Sequence, residues 1–195
     1  MEKLPARKHI RLKSYDYASD GSYFVTICTN GKRKTLSAIE EKVESDGASV
    51  GRFALGPPHN GTFVSAQPHL TEKGLIVQKY IENVSSVYDG VNVDKYVIMP
   101  NHVHAIITIC RKSGGTRASR PTETENGSCN GKRKRAVGLF TVIESIKSLS
   151  SRETSEDLWQ DSFYETVIRN EAMYERKWRY IDENPNRWND DEYFV

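Results

Sequence analysis

Several features are scarce in this chain, and each scarcity excludes something. No apolar run approaches the roughly 18 residues that a membrane-spanning helix needs, so no membrane span is expected. The opening MEKLPARKHIRLKSYDY lacks the apolar stretch of a secretory leader. Cysteine occurs only as Cys28, Cys110 and Cys129, with no C-x-x-C pair. That odd, scattered set argues against a disulfide scaffold and a cysteine-rich zinc module, and suits a reduced, cytoplasmic setting. A surplus of one charge is missing too. The 28 Lys+Arg and 26 Asp+Glu leave a net +2, which taken whole argues against a nucleic-acid partner.

The total conceals a division. Residues 1–34 carry eight cations and three acids, residues 111–135 eight cations and two acids, and the rest of the chain stands at −9. Basic segments are therefore set apart from an acidic body. With 195 residues, 37% of them hydrophobic and 10% aromatic, the chain is too apolar for general disorder and suits one domain with long loops over 1–195.

Tyr23–Thr29 (YFVTICT) is β-branched and aromatic and reads as a strand. Asn30-Gly31 then signals a turn, with Lys32–Leu36 as a hairpin partner. Residues 37–68 lack steady periodicity and read as an irregular excursion, with a short strand near Thr62–Ala66. Leu70–Val84 reads as a helix with Thr71 as N-cap. Lys95–Met99 and His102–Ile109 read as strands joined at Pro100-Asn101. Residues 111–135 have almost no large apolar residues and read as a loop or linker. Leu139, Val142, Ile143, Ile146 and Leu149 form a helical stripe. Leu158–Arg169 is extended or a strand, and Glu171–Asn184 a helix stopped by Pro185. The order predicts an α+β fold: an antiparallel sheet with helices packed on it, a ferredoxin-like or RRM-like sandwich with long loops.

Two short patterns carry chemistry. His102 and His104 are two apart on a strand, so both imidazoles point to one face, roughly 6.5–7 Å apart along it. They can converge on one divalent cation, while Val103, Ala105 and Ile107 anchor the opposite face. Two ligands do not make a site, and a third must come from elsewhere. In the helix from Glu171, the residues Tyr174, Trp178 and Ile181 form an apolar stripe, whereas Tyr180 points roughly 130° away, near Arg176, Lys177 and Asn184. Such a tyrosine is a nucleophile or stacking candidate. A phenol with an ordinary pKa near 10 needs an activating neighbour or a metal-polarised substrate.

These features occur together. YVIMPNHVHAIITI (Tyr96–Ile109) and LWQDSFYETVIRNEAMYERKWRYIDENPNRW (Leu158–Trp188) resemble the single-tyrosine HUH transposases, most of all the REP-associated tyrosine transposases and their insertion-sequence relatives. His102-Val103-His104 matches the histidine–hydrophobic–histidine motif. Trp159–Arg169 matches W-Q-x-x-[FY]-[YW]-[ED]-x-x-[IV]-R, and Tyr180–Pro185 matches Y-I-x-x-N-P. The likeness is good over Val93–Trp188 and loose over Tyr23–Thr29.

The resemblance implies that His102, His104 and Asn184 ligate Mg²⁺ or Mn²⁺, and that Tyr180 is the nucleophile. The substrate class is single-stranded DNA bearing a hairpin, cleaved and rejoined through a 5′-phosphotyrosine link, in a cytoplasmic, nucleoid-associated protein. Both a monomer and a homodimer occur among such proteins. Lys147, Arg169, Arg176 and Lys177 are the DNA-binding candidates. Segments 37–68 and 111–135 exceed the compact family pattern. Two rivals stay open: a metal-dependent hydrolase without covalent catalysis, and a non-catalytic or domesticated single-strand-binding protein stacking bases on Tyr23, Phe24 and Tyr96.

Overall fold

The computed structural model describes residues 17, 19–44, 63–110, 137–191 and 193, with the backbone alone at 41–44 and 63–65. The β-branched segment around Tyr23 becomes strand β1 (Gly21–Cys28). The next strands in chain order are β2 (Ser37–Glu44), β3 (Phe63–Leu70), β4 (Val91–Ile98), β5 (His102–Ile109) and β6 (Tyr164–Ile168). Helices α1 (Glu72–Glu82), the short α2 (Val84–Val87), α3 (Leu139–Thr154) and α4 (Glu171–Glu183) complete the fold.

Four strands form one sheet in the order β4-β5-β1-β6, every neighbouring pair antiparallel. Leaving out β2 and β3, the chain runs β1-α1-β4-β5-α3-β6, the split-βαβ arrangement of ferredoxin-like sandwiches. The expected α+β class and its sandwich form are therefore what the chain adopts.

Period-two alternation divides the sheet. Tyr23, Val25 and Ile27 of β1 and Val103, Ala105, Ile107 and Ile109 of β5 face α1 and α3, where they join Val77, Ile81, Leu139, Val142, Ile143 and Ile146 in the main core. The other face presents Phe24, Val97 and Ile106 to Ile181 of α4 and to Met99 and Trp188. Thr71 caps α1 as its spacing predicts, its Oγ1 accepting from the Gly74 N–H at 3.2 Å.

Some expectations are corrected. Lys32–Leu36 does not return along β1; Asn30–Lys32 forms a 3-10 turn, and the Leu36 N–H donates to the Pro100 carbonyl. Segment 37–68 is not wholly irregular. β2 and β3 form a separate two-stranded ribbon in which Ile39 pairs with Pro68. The acidic SAIEEKVE and the proline-containing FVSAQPHL hide this pairing, since a strand bordering no second partner tolerates charge and Pro. The ambiguous stretch after Leu158 resolves into an isolated bridge, Thr29 to Trp159, and the edge strand β6. Residues 45–62 and the basic segments 1–16 and 111–135 lie outside the described residues. Among the described residues no helix is long and apolar enough to cross a membrane.

Candidate functional site

Strand β5 delivers both histidines. The register pairs His104 with Thr26 and His102 with Cys28 on β1, so the imidazoles sit at the sheet centre facing α4, at 0% and 1% exposure. Their ring centroids are 4.4 Å apart. The His102 Nδ1 lies 2.9 Å from the Asn101 side-chain oxygen. The Asn101 amide donates in turn to the Tyr193 carbonyl at 2.7 Å, so its oxygen faces His102 and the ring donates from Nδ1. Nε2 then carries the lone pair. The His104 Nδ1 lies 2.9 Å from the Thr26 hydroxyl, which orients the second ring.

Helix α4 brings the remaining groups. The Asn170 side chain caps it, accepting from the Met173 N–H at 2.9 Å. Tyr174 anchors it at the β4 bulge, its hydroxyl donating to Asp94 at 3.0 Å. One face of the helix then carries Tyr180 to the histidines, with its hydroxyl 3.5 Å from His104 Nε2. Asn184 follows one turn later at the helix end. Pro185–Asp190 forms a 3-10 segment that packs Trp188 6.1 Å from the His102 ring and returns the chain to the site. There Asp191 accepts from the Asn184 amide at 2.8 Å, and its carboxylate lies 4.0 Å from His102 Nε2.

Burial pushes the His102 pKa down to about 4. The Asp191 charge and the Asn184 side chain pull the other way, and Lys32 adds to the depression. His104 is depressed well below the ordinary imidazole range by burial, then by His102 and Lys177. Both rings are therefore neutral near pH 7, the form that ligates a cation.

Two buried atoms test whether a cation fits. His102 Nε2 and the Asn184 side-chain oxygen have no hydrogen-bond partner among the described residues, although a buried polar atom normally finds one. His102, His104 and Asp191 each offer an atom within 4.8 Å of the others. A neutral imidazole pair with an amide oxygen and a carboxylate is a donor set that a divalent cation satisfies.

The four residues that the sequence ties to chemistry are thus gathered: His102, His104, Tyr180 and Asn184. Of the four proposed cations, Lys177 is brought to them and the other three are not. Lys177 lies beside the site, its Nζ 4.2 Å from the Phe24 ring centroid and 5.5 Å from that of Tyr180. Arg169 and Arg176 are exposed and line neither cavity beside Tyr180. Lys147 is buried in α3 on the opposite side of the sheet, donating to the Asp161 carbonyl at 3.0 Å. Sequence reasoning missed Asp191, Thr26 and Asn101. A carboxylate seven residues beyond Asn184 was the available signal for the first. The aromatics of the binding-module rival do not share a face either. Tyr23 and Tyr96 belong to the core under α1 and α3, and Phe24 lies under α4.

No family model matches the chain. Among solved structures, a REP-associated tyrosine transposase bound to a REP hairpin superposes with a TM-score of 0.52 at 17% identity, over 95% of this chain and 76% of that one. The fold is thus transposase-like. An uncharacterized protein of Haemophilus influenzae is 30% identical over 195 residues, covering 97% of this chain and 93% of its own length. At that identity over nearly the whole of both sequences, this chain belongs to one family with the Haemophilus influenzae protein.

Proposed function

We propose that this protein is a transposase-like endonuclease of the single-tyrosine HUH kind, which cleaves and rejoins hairpin-bearing single-stranded DNA. The observation that carries the reading is one juxtaposition. The Tyr180 hydroxyl meets His104 at 3.5 Å, beside two buried ligand atoms, His102 Nε2 and Asn184 Oδ1, that lack hydrogen-bond partners among the described residues. A cation between them would satisfy both atoms.

His102, His104, Asn184 and Asp191 would hold Mg²⁺ or Mn²⁺, which supplies polarisation of a scissile phosphate and offsets its developing charge. The Tyr180 oxygen attacks phosphorus, forming a 5′-phosphotyrosine bond as the bond to the 3′ oxygen breaks. The phenol proton leaves, and the released 3′ oxygen takes one up. A second 3′-OH reverses the step, so rejoining needs no nucleotide cofactor. Thr26 and Asn101 hold the imidazole rings in place. Trp188, at 8% exposure, covers His102 from the apolar side. Two imidazoles in the donor set favour Mn²⁺ over Mg²⁺.

The test is a covalent-adduct assay. The protein is incubated with Mn²⁺ or Mg²⁺ and a set of labelled hairpin-bearing single strands, then denatured. A labelled protein band that disappears with Tyr180→Phe supports the reading. Cleavage that survives Tyr180→Phe indicates a hydrolase. Binding with no cleavage in any strand indicates a single-strand-binding protein.

A further inference from the structure

Two cavities flank Tyr180, and they differ in charge. One is lined by Tyr180, Glu183, Asn184, Arg187, Asp190 and Asp191, the acidic, cation-holding side. The other measures about 510 Å³ and opens between α4 and the β1–β6 side of the sheet. Its walls include Lys32, Lys177, Phe24, Tyr164 and Tyr193, and it reaches His104 and Tyr180. The chemistry described above uses the Tyr180, His104 and Thr26 end of this cavity and leaves Lys32, Lys177 and Tyr164 without a role.

Three observations make it a built feature. Tyr164 is 43% exposed on the edge strand β6, an aromatic left accessible at the mouth. Lys177 and Lys32 both line the cavity, with the Lys177 Nζ 4.2 Å from the Phe24 ring centroid and 5.5 Å from that of Tyr180. Lys32 also occupies a costly backbone conformation. It follows Gly31 (φ +62°) with a left-handed φ of +52° of its own, in a turn where glycine would suffer no steric cost. That turn sets the Lys32 ammonium 5.7 Å from the Tyr193 ring centroid, over the ring that packs on His102 at 4.7 Å.

Resting on the endonuclease reading, we propose that this cavity is the subsite for one unpaired nucleotide adjoining the scissile phosphate. Its base stacks on Tyr164, and its phosphate lies between the ammonium groups of Lys32 and Lys177. Aromatic stacking and a cationic wall are how proteins hold single strands without reading sequence, and the cavity volume suits one nucleotide. Lys32 and Tyr164 are thereby binding residues, and the strain at Lys32 is maintained for its charge.

The experiment uses the full chain carrying Tyr180→Phe, so that no turnover occurs. The probe is a hairpin-bearing strand with an oligothymidylate tail containing 2-aminopurine at one tail position at a time. Fluorescence quenching at one position, relieved by Tyr164→Ala, is expected. Lys32→Gly keeps the left-handed turn and removes the ammonium. It should weaken binding about five- to tenfold and lower the salt-dependence slope by about 0.7, the single-strand value per phosphate contact, with an unchanged or higher Tm. Unchanged affinity and slope in Lys32→Gly, or quenching at no position, or quenching indifferent to Tyr164→Ala, overturns the subsite. These results are separable from the parent reading, because the adduct assay with the unmodified chain reports on that independently. An adduct without quenching sinks only the subsite, while quenching without an adduct sinks the nuclease.

Discussion

The two faces of the central sheet are built from the same strands and bear opposite burdens. Toward α1 and α3, residues such as Val25, Ile27, Val103 and Ile107 meet Val142, Ile143 and Ile146 in an apolar layer. Two polar groups buried there are matched: Lys147 to Asp161, and Ser150 to the Trp159 indole at 2.8 Å. Toward α4, alternate residues of the same strands are Thr26, His102 and His104, and His102 Nε2 and Asn184 Oδ1 find no hydrogen-bond partner among the described residues. Period two lets one strand serve both purposes, because a residue and its neighbour never share a face. One face supplies rigidity, and the other holds two buried imidazoles at the floor of the site beside Tyr180.

Substitutions on the two faces should therefore separate activity from stability. The largest effect is expected from His104→Ala, which should reduce adduct formation more than about 100-fold. In urea denaturation the same variant should lose about 1–3 kcal/mol, because it orphans the buried Thr26 hydroxyl that lies 2.9 Å from the ring; a loss of adduct fully explained by the unfolded fraction would erase the distinction between the faces. Next, Ile143→Ala removes a side chain at 0% exposure and should cost about 2–5 kcal/mol, measured by the same denaturation. Its folded fraction should retain adduct formation per molecule.

A smaller loss, about 1–3 kcal/mol, is expected for Gly74→Ala. The added Cβ would overlap the Leu36 carbonyl oxygen, where α1 passes closest to the chain leaving β1. Calorimetry should record a lower Tm with catalysis unaltered. The smallest is Asn170→Ala, which deletes the cap of α4 at the end remote from Tyr180 and should cost about 1 kcal/mol. A fall in adduct formation beyond that destabilisation would mean that α4 must be rigid throughout for Tyr180 to act.

The sandwich and the faces that carry the histidines and Tyr180 were legible because they rest on short-range periodicity, whereas their meeting in one site was implied only by the family resemblance. A period of two fixes the faces of β5, and a period of 3.6 fixes those of α4. Lys147 shows where the same logic was available and went unused. It stands four residues after Ile143 and one after Ile146, on the stripe that faces the core, and it is buried accordingly, while Leu149 is only half-buried. The ribbon of β2 and β3 was hidden because its strands pair across residues 45–62, and the charged sequence of β2 and the Pro of β3 carry no regular apolar alternation. Asp191 stands in an acidic run beside α4, and the sequence did not single it out from its neighbours for another reason. Its place depends on a 3-10 segment held by Asn186, whose side chain accepts from the Ala66 N–H at 2.7 Å, a tertiary contact with no local signature.

The site's parts are distributed along the chain in an order with consequences for its synthesis. Thr26 and the histidines precede Tyr180, Asn184, Asp191 and Tyr193 by more than seventy residues. As the chain leaves the ribosome, β1, β4 and β5 can pair, leaving two imidazoles on an uncovered surface until α4 arrives. On the proposed reading, Tyr180 joins the histidines only when α4 docks, so the site is incomplete until that helix has left the ribosome and packed.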